Sequence, residues 1–82
     1  MEFKIGQIVI SQAGRDEGCL LAVAGFKQGR VLVCDGKERP LERAKAKNPR
    51  HLKATSTFID ESSMATNPKL RKTLRALRDQ RR

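Results

Sequence analysis

One histidine, His51, and two cysteines, Cys19 and Cys34, carry all the imidazole and thiol chemistry of the chain. Nucleophilic catalysis needs a nucleophile, a base and an orienting group within reach of one another. Here they would have to come from those three residues and a few turn carboxylates. Zinc needs four ligands at short spacings, yet the cysteines stand 15 residues apart with no C-x-x-C pair. A G-x-x-x-x-G-K-[ST] loop for nucleotide phosphates is also missing. These residue types argue against an enzyme, a metal site and a bound cofactor. The cysteines read as small apolar fillers. If they lay on neighbouring strands a disulfide is conceivable, which the cytosol would keep reduced.

Cationic chemistry, in contrast, is abundant. The stretch "RAKAKNPRHLK" places Arg43, Lys45, Lys47, Arg50, His51 and Lys53 within 11 residues, just after Lys37 and Arg39. A second basic group, Arg71, Lys72, Arg75 and Arg78, lies near the C-terminal end. Residues 1–36 hold four basic and four acidic residues, whereas residues 37–82 hold 14 basic and five acidic, so the whole net charge of +9 belongs to the second half. A charge run alone is only a solvated face. Beside a neutral folded half, it suggests a surface for a polyanion. Lys and Arg neutralise phosphates and release counterions, which gives affinity that falls steeply with salt. Base reading has little to work with, because the aromatics are Phe3, Phe26 and Phe58 alone. A thin core needs such side chains for packing; Phe26, at an expected hairpin tip, is the best exception. The expected target is therefore the shape and backbone of folded RNA.

The elements that position these residues must be short, since 82 residues make one small domain. Residues 7–12, "QIVISQ", read as a strand; residues 19–24, "CLLAVA", fit helix or strand by periodicity, and the flanking Gly18 and Gly25 favour a buried strand. Residues 30–35, "RVLVCD", are the clearest strand, after a glycine-bracketed turn at 25–29. Between 38 and 55, Pro40 and Pro49 forbid one continuous helix. An extended segment there would put Arg43, Lys45 and Lys47 in one row, although the composition also suits helix. Residues 50–55 read as a closing strand, with Leu52 and Ala54 sharing a face. Asn67 and Pro68 look like an N-cap and first helical residue. Leu70, Leu74 and Leu77 then form a narrow apolar stripe on an otherwise basic helix. That stripe packs either on the sheet or on a partner. A membrane-surface role for this helix is weak without Trp or Phe.

The turn between the first two strands carries a resemblance. "GQIVISQAGRDEG" followed by an apolar strand, then "VLVCDGK" and "RAKAKNPRHLKAT" in that order, resembles the KOW motif of ribosomal proteins and transcription elongation factors. It is most similar to the branch holding large-subunit ribosomal proteins of archaea and eukaryotes and small bacterial RNA-binding proteins. The resemblance covers residues 5 to about 55. It implies an SH3-like five-stranded barrel that contacts RNA through the turn and the basic surface around it. Many such turns carry Lys where this chain has Glu17, which leaves Arg15 as the turn's only cation.

The expectation is thus a mainly β chain: an SH3-like five-stranded barrel over residues 1–57, a linker at 58–66 and a basic amphipathic helix at 67–82. Gly14, Asp16 and Gly18 would shape the turn, with Asp16 bonding neighbouring amides. Arg15, Lys37, Arg39, Arg43, Lys45, Lys47, Arg50, His51, Lys53, Arg71, Lys72, Arg75 and Arg78 would bind RNA, ribosomal RNA first, with ribosomal proteins as further partners. The rival is a protein–protein module that uses the barrel and the leucine stripe. "MEFKIGQIVI" has no signal-peptide pattern, and no apolar run nears the roughly 18 residues of a membrane span. A cytoplasmic monomer is expected.

Overall fold

Three apolar runs without polar alternation become the three central strands, because both faces of the sheet are covered there. The computed structural model describes residues 3–80. Its strands are β1 (Gln7–Ser11), β2 (Leu20–Lys27), β3 (Arg30–Cys34), β4 (Lys45–Lys47) and β5 (Leu52–Phe58), followed by helix α1 (Asn67–Gln80). Single 3-10 turns at Leu41–Arg43 and Pro49–His51 flank β4. All ladders are antiparallel, in the order β4-β3-β2-β1-β5.

One face buries Ile8, Leu20, Ala22 and Cys34 beneath Leu70 and Leu74 of α1. The other buries Val9, Leu21, Val23, Val31, Val33 and Leu52, with Phe3 partly over them. In a flat sheet β3 and β5, three positions apart, would be separated by about 14 Å. Leu52 nevertheless shares a cluster with Val31 and Val33, so the sheet curls over its own second face.

It does not close. The expected closed barrel is corrected to an open, curled five-stranded sheet: β5 pairs with β1, β4 pairs with β3, and no ladder joins β4 to β5 among the described residues. The prolines explain the shortness of β4. Pro40 and Pro49 each introduce a 3-10 turn, leaving five residues between, of which Lys45, Ala46 and Lys47 pair with β3. Both rival readings of this stretch are therefore partly present, and Arg43 falls in a turn, out of the expected row with Lys45 and Lys47. Lys45 and Lys53 lie exposed on the two open edges, where lysine discourages strand addition by another chain.

Three further expectations shift. The turn at 25–29 shrinks to Gln28 and Gly29, both at positive φ (49° and 78°), which suits a two-residue hairpin; β2 runs on through Lys27, with a register shift between Val23 and Gly25. Strand β5 continues into the expected linker, and only Leu52 of it is buried, while Ala54 is exposed. The remaining connection is held: Ile59 N–H donates to Gly6 O at 2.8 Å, and Ile59 and Met64 pack partly against the first cluster.

The helix docks where Gly36, buried at φ +81°, lets the chain leaving β3 press against its first turn. A Cβ there would collide with the Asn67 carbonyl oxygen and approach Arg71 N to 3.1 Å. The Asn67 side chain does not cap its own helix, contrary to expectation. Its Oδ1 accepts from Leu41 N–H and its Nδ2 donates to Glu42, both at 2.8 Å. Thr66 Oγ1 accepts from Lys69 N–H instead, at 3.3 Å. The last two positions of the expected helix lie outside the described residues.

Candidate nucleic-acid interface

The 14–18 turn alternates charges outward and inward. Arg15 and Glu17 are exposed, whereas Asp16 points under the turn. The φ of +87° at both Gly14 and Gly18 makes that bend possible without strain. Ser11 seals its base, since Gly18 N–H donates to Ser11 O at 2.7 Å. Beneath it, Asp16 Oδ1 accepts from Lys47 Nζ at 2.8 Å and from the buried Ser11 hydroxyl at 2.7 Å. Lys47 Nζ also donates to Ser11 Oγ and to Ala13 O. Side-chain exposures of 11% for Lys47 and 17% for Asp16 mark the pair as largely interior. Burial pulls the Asp16 carboxyl upward, but the hydrogen bonds from Lys47 and Ser11, with the Lys47 charge, outweigh it and hold the pKa below its ordinary 3.8. Asp16 thus shapes the turn through side-chain partners.

Lys47 consequently leaves the set of surface cations, for its three donors are spent inside the molecule. Arg39 is half-buried within a loop organised by Asp35, whose Oδ1 accepts from Lys37 N–H and Arg39 N–H at 2.8 Å. Arg15, Lys37, Arg43, Lys45, Arg50, His51, Lys53, Arg71, Lys72, Arg75 and Arg78 are all exposed. Only Arg78 among them forms a described ion pair, at 3.9 Å from Asp79, with both side chains 64% exposed. Such a pair contributes little. Glu42 and Asp60 carboxyls sit below their ordinary values mainly through hydrogen bonds from Asn67 and Ser63 respectively.

Seven of these cations form two regions. Around the turn, Gln12 N–H donates to His51 O at 2.8 Å, so Arg50 and His51 stand beside the strand that leads to Arg15. On the other side of the turn, a groove of about 490 Å³ runs between α1 and the ends of β2 and β3. Lys37, Arg71, Arg75 and Arg78 line it, together with Leu20, Leu74, Cys19 and Asp35. Lys37 therefore joins the helix group, a link that its sequence position does not suggest. The arginines follow the leucine stripe by one position each, and that signal is present in "KLRKTLRALR". Leu70 is fully buried, Leu74 is 6% exposed and Leu77 packs partly against the same cluster, so the stripe faces the sheet.

The cysteines part company. Cys34 is buried opposite Ala22 of β2, and its Sγ lies 3.7 Å from Ala22 O. Burial, and then the nearby Asp35 charge, push its thiol up to about 11. Cys19 is exposed in the groove, three residues before Ala22 in the chain, and both thiols are free. The filler reading thus fits Cys34 and not Cys19. Among the described residues no cluster of His, Cys, Asp and Glu could hold a metal, and no helix is long and apolar enough to cross a membrane. No protein-family model matches the chain, and no curated protein matches it.

Proposed function

We propose that this protein binds folded RNA, ribosomal RNA foremost, as a ribosome-associated or accessory factor of the SH3-like KOW type. The observation that carries this reading is the division of the charged residues. Lys47 and Asp16 neutralise each other inside. The exposed cations beside the turn and along α1 lack interior partners and are left to meet phosphate oxygens. The strand order, with β5 returning to β1 after a 3-10 turn, supports an SH3-like assignment. The sequence of turn, "VLVCDGK" and basic stretch supports the KOW assignment and, with it, the ribosome.

Affinity would come from phosphate neutralisation, and shape selection from the spacing of the turn and helix regions. Six phosphate contacts would lose on the order of a hundred- to a thousandfold in affinity between 50 and 200 mM salt. Sedimentation of the tagged protein from lysate, at low and high salt, tests the reading. Co-migration with large ribosomal subunits at low salt, lost at high salt, is expected. Residence at the top of the gradient in low salt refutes the ribosomal assignment.

A further inference from the structure

We infer that the groove between α1 and the strand ends takes one unpaired stretch of RNA, phosphates against its arginine wall and sugars against its apolar floor. This rests on the RNA-binding reading above and adds a location and a strand state to it. The geometry follows from the leucines. Burying Leu70 and Leu74 in the sheet fixes the rotation of α1, and that rotation turns Arg71, Arg75 and Arg78 to the groove. Those positions, i, i+4 and i+7, share one helix face and span about 10 Å along it. Lys37 supplies a cation from the β3 side.

The size of the groove selects the ligand. About 490 Å³ lies in the range of small-ligand sites, which suits one strand better than a duplex. Its floor is Leu20 and Leu74, which suits sugar and base surfaces, while its walls carry four cations against the one carboxylate of Asp35. No aromatic side chain lines it, so stacking falls to the guanidinium planes and sequence preference is weak. Arg43, Lys45, Arg50 and Lys53 lie outside the groove and remain for duplex phosphates.

Fluorescence anisotropy with labelled octauridine and with a labelled 12-base-pair RNA duplex tests this. The full chain is compared with Arg71→Gln/Arg75→Gln and with Arg43→Gln/Lys45→Gln, each checked for folding by circular dichroism. The helix pair should weaken octauridine binding at least about tenfold and reduce the salt slope by about 1.4, two single-strand contacts at about 0.7 each. The β4 pair should leave octauridine binding unchanged. Unchanged octauridine affinity in the helix pair, or binding of the duplex alone, overturns the inference and leaves the RNA reading standing. Displacement of octauridine by free uridine monophosphate at equal nucleotide concentration overturns the strand assignment in favour of a nucleotide site. Binding to neither RNA overturns both the inference and the reading beneath it.

Discussion

Lys47 Nζ stands 2.8 Å from Asp16 Oδ1, which joins edge strand β4 to a turn that follows β1, three strands away. The contact is possible only because the sheet curls, and it helps to hold that curl. A lysine in the middle of the most basic stretch of the chain is thus an internal strut.

Replacing Lys47 with Met leaves Asp16 buried with Ser11 as its one remaining side-chain donor. The expected cost is about 2–3 kcal/mol, from the lost charged hydrogen bonds and the uncompensated carboxylate. A domain of this size then melts roughly 10–20 °C lower. Thermal denaturation of Lys47→Met, Asp16→Ala and the double variant checks it, with the double variant expected to be less destabilised than the sum of the two.

The same pair sets an acid limit. The folded Asp16 carboxyl holds its proton less tightly than the unfolded one, so unfolding takes up a proton as pH falls. Its contribution is complete above the unfolded value of 3.8 and drains away as pH drops through the lower folded value. Melting temperatures measured from pH 6 to pH 2 should fall more steeply at the acid end for the natural chain than for Asp16→Ala. Parallel curves would refute this.

Charge reversal separates struts from surface. Arg43→Glu/Lys45→Glu should weaken duplex RNA binding at least about tenfold with an unchanged melting temperature, since both side chains are exposed and unpaired. Lys47→Glu should instead unfold or strongly destabilise the chain by setting two carboxylates together. Equal thermal stability of the two variants would remove the distinction.

Gly36→Ala should loosen the helix. The added Cβ meets backbone at the first turn of α1, in a φ region that alanine resists, at an expected cost of about 2–4 kcal/mol. Hydrogen exchange should show α1 amides losing protection first.

Thiol labelling reads the core directly. With an aromatic disulfide reagent at pH 8, one thiol, Cys19, should react at once, and Cys34 only after denaturant is added. Rapid reaction of both in the folded protein would contradict the packing of β3.

Much of this fold was legible in local sequence. "IVI", "LLAV" and "VLVC" announced strands because burial on both faces tolerates no polar residue there, and the glycines at 14 and 18 announced a turn. Failures of sequence reasoning concern distance. Whether β5 would pair with β4 or β1 depends on contacts far apart in the chain, as does the partner of the leucine stripe. Lys47 looks like Lys45 in sequence, and only the curl, which brings Lys47 to Asp16 beneath the turn, distinguishes them. Lys37 likewise joins Arg71 and Arg75 only because Gly36 admits the helix.

The alternation of leucine and arginine along α1 couples assembly to occupancy. A helix of 14 residues is marginal alone, so its order depends on its docking. Any anion bridging Lys37 and the arginines adds its binding free energy to the docked form alone. By mass action, a ligand at a hundred times its dissociation constant contributes about 2.7 kcal/mol. On the proposed RNA-binding reading, the protein would be most completely folded when bound, with its C-terminal segment acting as a clasp that the ligand itself fastens.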